Sequence, residues 1–159
     1  MLYADSSALV KRYLEEHGSD KLNAKIAGAT KASHRVLTSV LSFAEVHAAM
    51  ARKLRERTVR ATEYHWATAR FDSDWRTYLT RVDLTTAVLT LIPDLVKRHS
   101  LKGSDAIHLA SALWVRDSLE SVGVKGTLAE TLIFATSDKQ LARAAEYEQL
   151  EVFDPQDTP

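Results

Sequence analysis

The sequence predicts an α/β fold, a single domain over residues 1–159 built on a mostly parallel sheet with helices on both faces. Three observations predict it. Short apolar or β-branched runs alternate with helical patterns from end to end, which is the α/β signature. Those runs are separated by helical stretches, so the strands need crossover connections and pair in parallel. Right-handed crossovers then place helices on both sheet faces. No repeat, low-complexity tract or long linker interrupts the pattern, and 159 residues suit one domain with its own core.

Leu2-Tyr3-Ala4 is the first buried strand. Ser6 or Ser7 is placed to cap a helix carrying Leu9, Val10, Tyr13 and Leu14, and Gly18 ends it. A second helix follows Ser19-Asp20 with Leu22 and Ile26 inward. Val36-Leu37-Thr38 is the second strand. Ser42-Phe43-Ala44-Glu45 opens a helix with Phe43, Val46, Met50 and Leu54 on one face. Thr58 is placed to cap a long helix through Tyr64, Trp66, Phe71, Trp75 and Leu79. Val82-Asp83-Leu84 is the third strand. Thr85 or Thr86 starts a helix that is interrupted or begun afresh near Pro93. Gly103-Ser104-Asp105 opens an apolar helix with Ile107, Leu109, Ala110, Leu113 and Trp114. Leu132-Ile133-Phe134-Ala135-Thr136 is the clearest strand. Ser137-Asp138 caps a short helix with Leu141, Ala144 and Ala145, and Val152-Phe153 is a last edge strand.

Hydrophobic residues make up 45% of the chain and the formal net charge is zero, a balance that excludes intrinsic disorder. The absence of cysteine excludes disulfides and thiolate metal sites. The opening Met1-Leu2-Tyr3-Ala4-Asp5 meets a charge at once, and no apolar run approaches the roughly 18 residues of a membrane span. A soluble cytoplasmic protein with no membrane partner is expected. Zero net charge hides a positive excess at Arg52, Lys53, Arg55, Arg57 and Arg60, opposed by Glu56. This is either a solvated helix face or a phosphate-backbone contact.

Four acidic residues carry the candidate chemistry. Asp5 follows the first strand, Glu45 lies in the first helical turn after the second, and Asp138 follows the clearest strand. Asp105 lies at a helix start after a glycine. In an open parallel sheet the carboxyl ends of the strands lie along one edge, where ligands bind. Each acid also has a structural reading. Ser42 and Glu45 match a capping box, and Asp5, Asp105 and Asp138 suit helix caps. Four caps, however, have no reason to meet. Two carboxylates about 4 Å apart repel by roughly 4 kcal/mol at an effective dielectric of 20. Either protons or a cation must offset that repulsion, and an oxygen-only donor set selects a hard cation, Mg²⁺ or Mn²⁺. Asp5 and Asp105 are expected as direct metal ligands, with Glu45 and Asp138 completing the shell, holding water or binding a second ion. His108 shares a face with Asp105 but has apolar neighbours, which suits a core or supporting histidine. Trp66, Phe71 and Trp75 read as core packing.

These residues also resemble a known family. Tyr3-Ala4-Asp5-Ser6-Ser7-Ala8-Leu9-Val10-Lys11 resembles the opening of PIN domains, and Ser42-Phe43-Ala44-Glu45 their second acidic motif. Gly103-Ser104-Asp105-Ala106-Ile107-His108-Leu109-Ala110 is similar to the third, and Ala135-Thr136-Ser137-Asp138-Lys139 to the fourth. The match runs over nearly the whole chain in order and spacing. A short PIN domain with no appended module is similar to the toxin of a VapBC-type toxin–antitoxin pair. The resemblance implies a parallel five-stranded sheet and a magnesium-dependent endoribonuclease whose quartet is Asp5, Glu45, Asp105 and Asp138. Ser6 and Thr136 match the small polar residues around it. It also implies a homodimer and inhibition by a cognate antitoxin, for which the first three helices, with Tyr13, Phe43 and Met50, offer a groove. The stretch from Asp117 to Thr131 is longer than usual for the family.

The expected chemistry is phosphodiester hydrolysis of RNA by a metal-activated water, leaving a 5′-phosphate and a 3′-hydroxyl. The competing readings are a metal- or RNA-binding PIN module without nuclease activity and a housekeeping PIN nuclease. An aspartyl-phosphate enzyme with Asp5 as nucleophile meets Ser7 where its second aspartate belongs.

Overall fold

The computed structural model describes residues 1–31, 35–121 and 132–157. Five strands form one sheet in the order β3-β2-β1-β4-β5, every neighbouring pair parallel. They are β1 (Leu2–Ala4), β2 (Val36–Ser39), β3 (Thr80–Val82), β4 (Ile133–Ala135) and β5 (Glu151–Phe153). The helices are α1 (Ser6–Leu9), α2 (Ser19–Lys31), α3 (Ser42–Arg55), α4 (Ala61–Thr77), α5 (Thr86–His99), α6 (Gly103–Ser121) and α7 (Lys139–Tyr147). Alternate residues of each central strand point to opposite faces. Leu2, Ala4, Val36 and Ala135 pack with residues of α1 to α4, including Leu22, Val46 and Phe71. Tyr3, Leu37 and Phe134 pack with residues of α5 to α7, including Val88, Leu109 and Leu141. The result is the expected three layers. Among the described residues no helix is long and apolar enough to cross a membrane.

Several local expectations are corrected. Neither Ser6 nor Ser7 caps the first helix; Asp5 does, accepting the Ala8 amide at 2.8 Å. That helix tightens after Leu9 into a 3₁₀ turn over Val10–Arg12. Thr58 ends α3 instead of starting α4, because its hydroxyl donates to the Lys53 carbonyl. Arg60 takes the cap position of α4, with Glu63 accepting its amide at 2.8 Å. The third strand begins at Thr80 and stops at Val82. The α5 helix runs unbroken through Pro93. Proline there costs the bond to the carbonyl of Leu89, an exposed residue whose carbonyl water can serve.

Helical periodicity also misjudged some burial. Phe43 is 42% and Trp66 64% exposed, whereas Phe71 and Met50 lie in the core, so Met50 does not line a groove; Tyr13 is largely buried yet lines a cavity with Arg12, Trp66 and Arg70. Residues Asp117 to Ser121 belong to α6, and the rest of the 117–131 stretch falls outside the described residues.

The turn between the 3₁₀ segment and α2 depends on Gly18. Its φ of +91° lies in the left-handed region, and a Cβ there would stand 2.4 Å from the Pro155 carbonyl oxygen. Gly18→Ala therefore combines a left-handed penalty of about 1–2 kcal/mol with a backbone collision. A thermal melt should show a loss of about 4 °C or more. An unchanged melting temperature would mean that this turn is not held against the C-terminal segment.

Candidate active site

The strand order reverses about β1: its chain neighbour β2 lies on one side, and β4 on the other. A crevice opens beyond the carboxyl ends of strands at such a point. Asp5 follows β1, and Thr136, Ser137 and Asp138 follow β4. Glu45 sits in the first turn of α3 and Asp105 in the first turn of α6. All four acids line one cavity of about 570 Å³, together with Ser6, Ser7, His108, Lys11, Arg52 and Lys53.

Asp5 is the most deeply set. Ser7 Oγ donates to both its carboxylate oxygens at 2.9 Å, and Thr136 Oγ1 donates to Oδ2 at 2.7 Å. The same Thr136 oxygen accepts the Asp138 amide at 3.0 Å, and Ser7 Oγ accepts the Ser137 amide at 2.8 Å. These bonds stitch the end of β1 to the end of β4. Burial pushes the Asp5 carboxyl above its ordinary value, against His108, the Ala8 amide and the Thr136 and Ser7 hydroxyls.

Glu45 is not in a capping box. Ser42 lies inside α3, and its hydroxyl meets Thr38 Oγ1 at 2.5 Å. Glu45 Oε2 instead accepts from Ser6 Oγ at 2.5 Å and lies 2.8 Å from His108 Nε2. Burial raises the Glu45 carboxyl, but the hydrogen bonds from His108 and Ser6 outweigh it and hold its pKa below the ordinary value. A carboxylate only accepts, so His108 Nε2 carries a proton. Nδ1 then faces the buried Tyr3 hydroxyl at 3.2 Å. His108 thus fills the supporting place expected of it. It joins the third-layer core to the acidic edge.

Asp138 is a true cap of α7, its Oδ1 accepting the Gln140 and Leu141 amides at 2.8 and 2.9 Å. Among the described residues its Oδ2 has no hydrogen-bond donor. Asp105 does not cap α6: among the described residues its carboxylate accepts only a long contact of 3.5 Å from Ser104. Burial, then the charge of Asp138, raises the Asp105 carboxyl, while Lys102 and His108 oppose the rise.

The four acids share a cavity and feel one another's charge. Among the described residues, however, no three His, Asp or Glu side chains are drawn close enough to hold a metal ion as they stand. Asp5 accepts from Thr136 and Ser7, and Glu45 from Ser6 and His108. The acids offer only oxygen donors, and among the described residues Asp105 and the second oxygen of Asp138 have no strong protein donor. That set suits a hard ion that retains several waters.

Sequence reasoning did not find Glu16 and Gln156 on this cavity. Neither belongs to a motif, and both arrive through the turn that Gly18 and Pro155 pack together.

An acidic cavity at the reversal point of a five-stranded parallel sheet is the arrangement of a PIN domain, and the PIN domain family matches residues 2–147. The chain belongs to that family. Its relatives include Ribonuclease VapC45 and Ribonuclease VapC49 of Mycobacterium tuberculosis, each 38% identical over 120 residues, 74% of this chain and 78% of the relative. Two solved complexes share the fold at 12% identity. FitAB bound to an IR36 DNA fragment gives a TM-score of 0.65 over 100% of this chain and 98% of that one. VapBC2 from Rickettsia felis, bound to a DNA fragment from its promoter, gives 0.59 over 97% and 98%.

Proposed function

We propose that this protein is a metal-dependent endoribonuclease of the VapC type, the toxin of a toxin–antitoxin pair. The observation that carries the reading is the meeting of Asp5, Glu45, Asp105 and Asp138 on one cavity. Kinship with two VapC ribonucleases at 38% identity supplies the substrate class. Asp5 and Asp105 would hold Mg²⁺, with Mn²⁺ as substitute. The ion, when bound, would supply a water of lowered pKa and a positive charge for the phosphate.

The chain's own groups do the rest. Glu45 is ionised at neutral pH because His108 and Ser6 stabilise its charge. Its Oε2 is committed to those partners, so Oε1 is the atom that orients the attacking water. Asp138 lines the cavity with Oδ1 engaged at the helix start, so Oδ2 is the oxygen that would hold a second water or a second ion. Thr136 and Ser7 keep Asp5 from turning away.

The protein works in the cytoplasm as a homodimer and is held in check by a cognate antitoxin that covers the cavity. An RNA cleavage assay tests the central claim. Added Mg²⁺ should produce fragments with 5′-phosphate and 3′-hydroxyl ends, and EDTA should stop the reaction. Fragments ending in 2′,3′-cyclic phosphate, or cleavage that survives EDTA, would refute the metal–water route. Binding of RNA without cleavage would favour a PIN module that only grips its ligand.

A further inference from the structure

The acidic cavity has a cationic wall that the carboxylate chemistry does not use. Lys11, from the 3₁₀ turn, is only 3% exposed and lies 3.0 Å from Glu16 Oε2. Lys53, from the last turn of α3, is 27% exposed and lies 2.9 Å from Glu16 Oε1. One carboxylate thus spans two ammonium groups, and Arg52 lines the same cavity beside them. Burying an ammonium is costly unless it is paired, so this arrangement needs a reason.

Glu16 is itself held in place. Its amide donates to Ser19 Oγ at 2.9 Å, and the Ser19 amide returns to the Glu16 carbonyl at 3.0 Å. Gly18 follows, locked against Pro155, and the neighbouring Gln156 also lines the cavity. The lysines are therefore fixed from a rigid turn instead of waving from the surface. Helix-end cations that merely complement the dipole of α3 need no such anchor.

We propose that Glu16 is a positioning residue that fixes Lys11 and Lys53 as a seat for an RNA phosphate next to the one held at the acidic edge. The proposal deepens the nuclease reading and rests on it for the substrate class. The trio carries a net charge of +1, and Arg52 makes it +2, on the cavity that the four acids also line. An RNA strand entering the cavity finds a cation site for the reacting phosphate and ammonium groups for its neighbour. Phosphate contacts of this kind set register along a strand and carry no base preference.

The test measures binding of a fluorescent single-stranded RNA dodecamer of mixed sequence to the full chain in EDTA. Binding there does not depend on catalysis, so absence of cleavage with Mg²⁺ would sink the nuclease reading and leave this result standing. Lys53→Met should weaken binding about fivefold at 0.1 M salt. It should flatten the plot of log affinity against log salt by about 0.7, the value of one single-strand phosphate. Lys97→Met, an exposed cation on α5 in the opposite layer, should leave the slope unchanged.

Glu16→Gln separates positioning from bulk charge by sign. If Glu16 only neutralises lysines, removing its charge near an anionic ligand tightens binding. If it positions them, binding weakens although the protein has become more positive. Tighter binding by Glu16→Gln, or equal slopes for Lys53→Met and the wild type, would overturn the proposal. So would a loss of slope in Lys97→Met matching that in Lys53→Met. Should Glu16→Gln fail to fold, the Lys53→Met slope still decides.

Discussion

Asp5→Asn is expected to abolish magnesium-dependent RNA cleavage and to leave the metal-free protein as stable as the wild type or slightly more so. The two halves come from different properties of one carboxylate. Asparagine is nearly as good a cap as aspartate, and its Oδ1 can still accept the Ala8 amide that now lies at 2.8 Å. The Thr136 and Ser7 hydroxyls can rotate to accept from the new amide nitrogen. The charge is what disappears. Burial raises the Asp5 carboxyl above the 3.8 of a free aspartate. The folded state therefore binds that proton more tightly than the unfolded chain. Stability falls as pH rises from the ordinary carboxylate value through the raised one, and at neutral pH the ionised group opposes folding. Asparagine escapes this cost.

In EDTA at pH 7 the variant should melt at or up to about 4 °C above the wild type, a gain within about 1 kcal/mol. The difference should shrink toward pH 4. Magnesium should reverse the order. At an ion concentration ten times the dissociation constant, the wild type gains about 1.4 kcal/mol that the variant lacks. The rate of cleavage should drop at least about 10²-fold, the scale of losing one contact to transition-state charge. Retained activity would remove Asp5 from the mechanism. A clear fall in melting temperature in EDTA would mean that the carboxylate serves mainly as a cap.

Asp5 and Asp138 were legible because Asp5 follows an apolar strand directly and Asp138 comes three residues after another, and strand order sets the two strands side by side within the sheet. The parallel pairing followed from helices standing between strands. What sequence could not supply was competition between near and distant partners. Ser42 and Glu45 have capping-box spacing, yet Thr38, Ser6 and His108 reach them first, from other elements. Thr58 looked like a helix start, but the preceding helix offered its hydroxyl a carbonyl. The aromatic run of α4 suggested that Trp66, like Phe71, packs in the core. Aromatic character does not say which face of a helix another element covers; five residues apart, the two rings lie on different faces, and of the two only Phe71 is buried. The Glu16 ion pairs escaped notice for a related reason. Their members come from a turn and a helix end that only the folded chain brings together.

His108→Leu should be the most destabilising substitution near the site, and Tyr3→Phe should repair part of the damage. The imidazole links two environments. On its buried side Nδ1 meets the Tyr3 hydroxyl at 3.2 Å. On its cavity side Nε2 meets Glu45 Oε2 at 2.8 Å. Leucine takes the ring nitrogen from the buried Tyr3 hydroxyl and leaves it to the Ser111 hydroxyl and the Ser39 backbone, a loss of up to about 1–3 kcal/mol. It also frees Glu45 from its largest stabilising hydrogen bond, so that burial raises the Glu45 carboxyl again. At neutral pH this removes stability that the lowered Glu45 pKa provides above the ordinary carboxylate range.

Removing both members of a buried pair is far milder than removing one. The double variant Tyr3→Phe with His108→Leu should therefore regain about 1–2 kcal/mol over His108→Leu alone, read as a positive coupling in a double-mutant cycle of melts. Its cleavage activity should not recover, because phenylalanine does nothing for Glu45. Tyr3→Phe alone should leave activity near that of the wild type, since the Nε2 contact to Glu45 survives. Activity returning together with stability in the double variant would make the His108–Glu45 contact irrelevant to the reaction. Catalysis would then depend only on the integrity of the layer beneath.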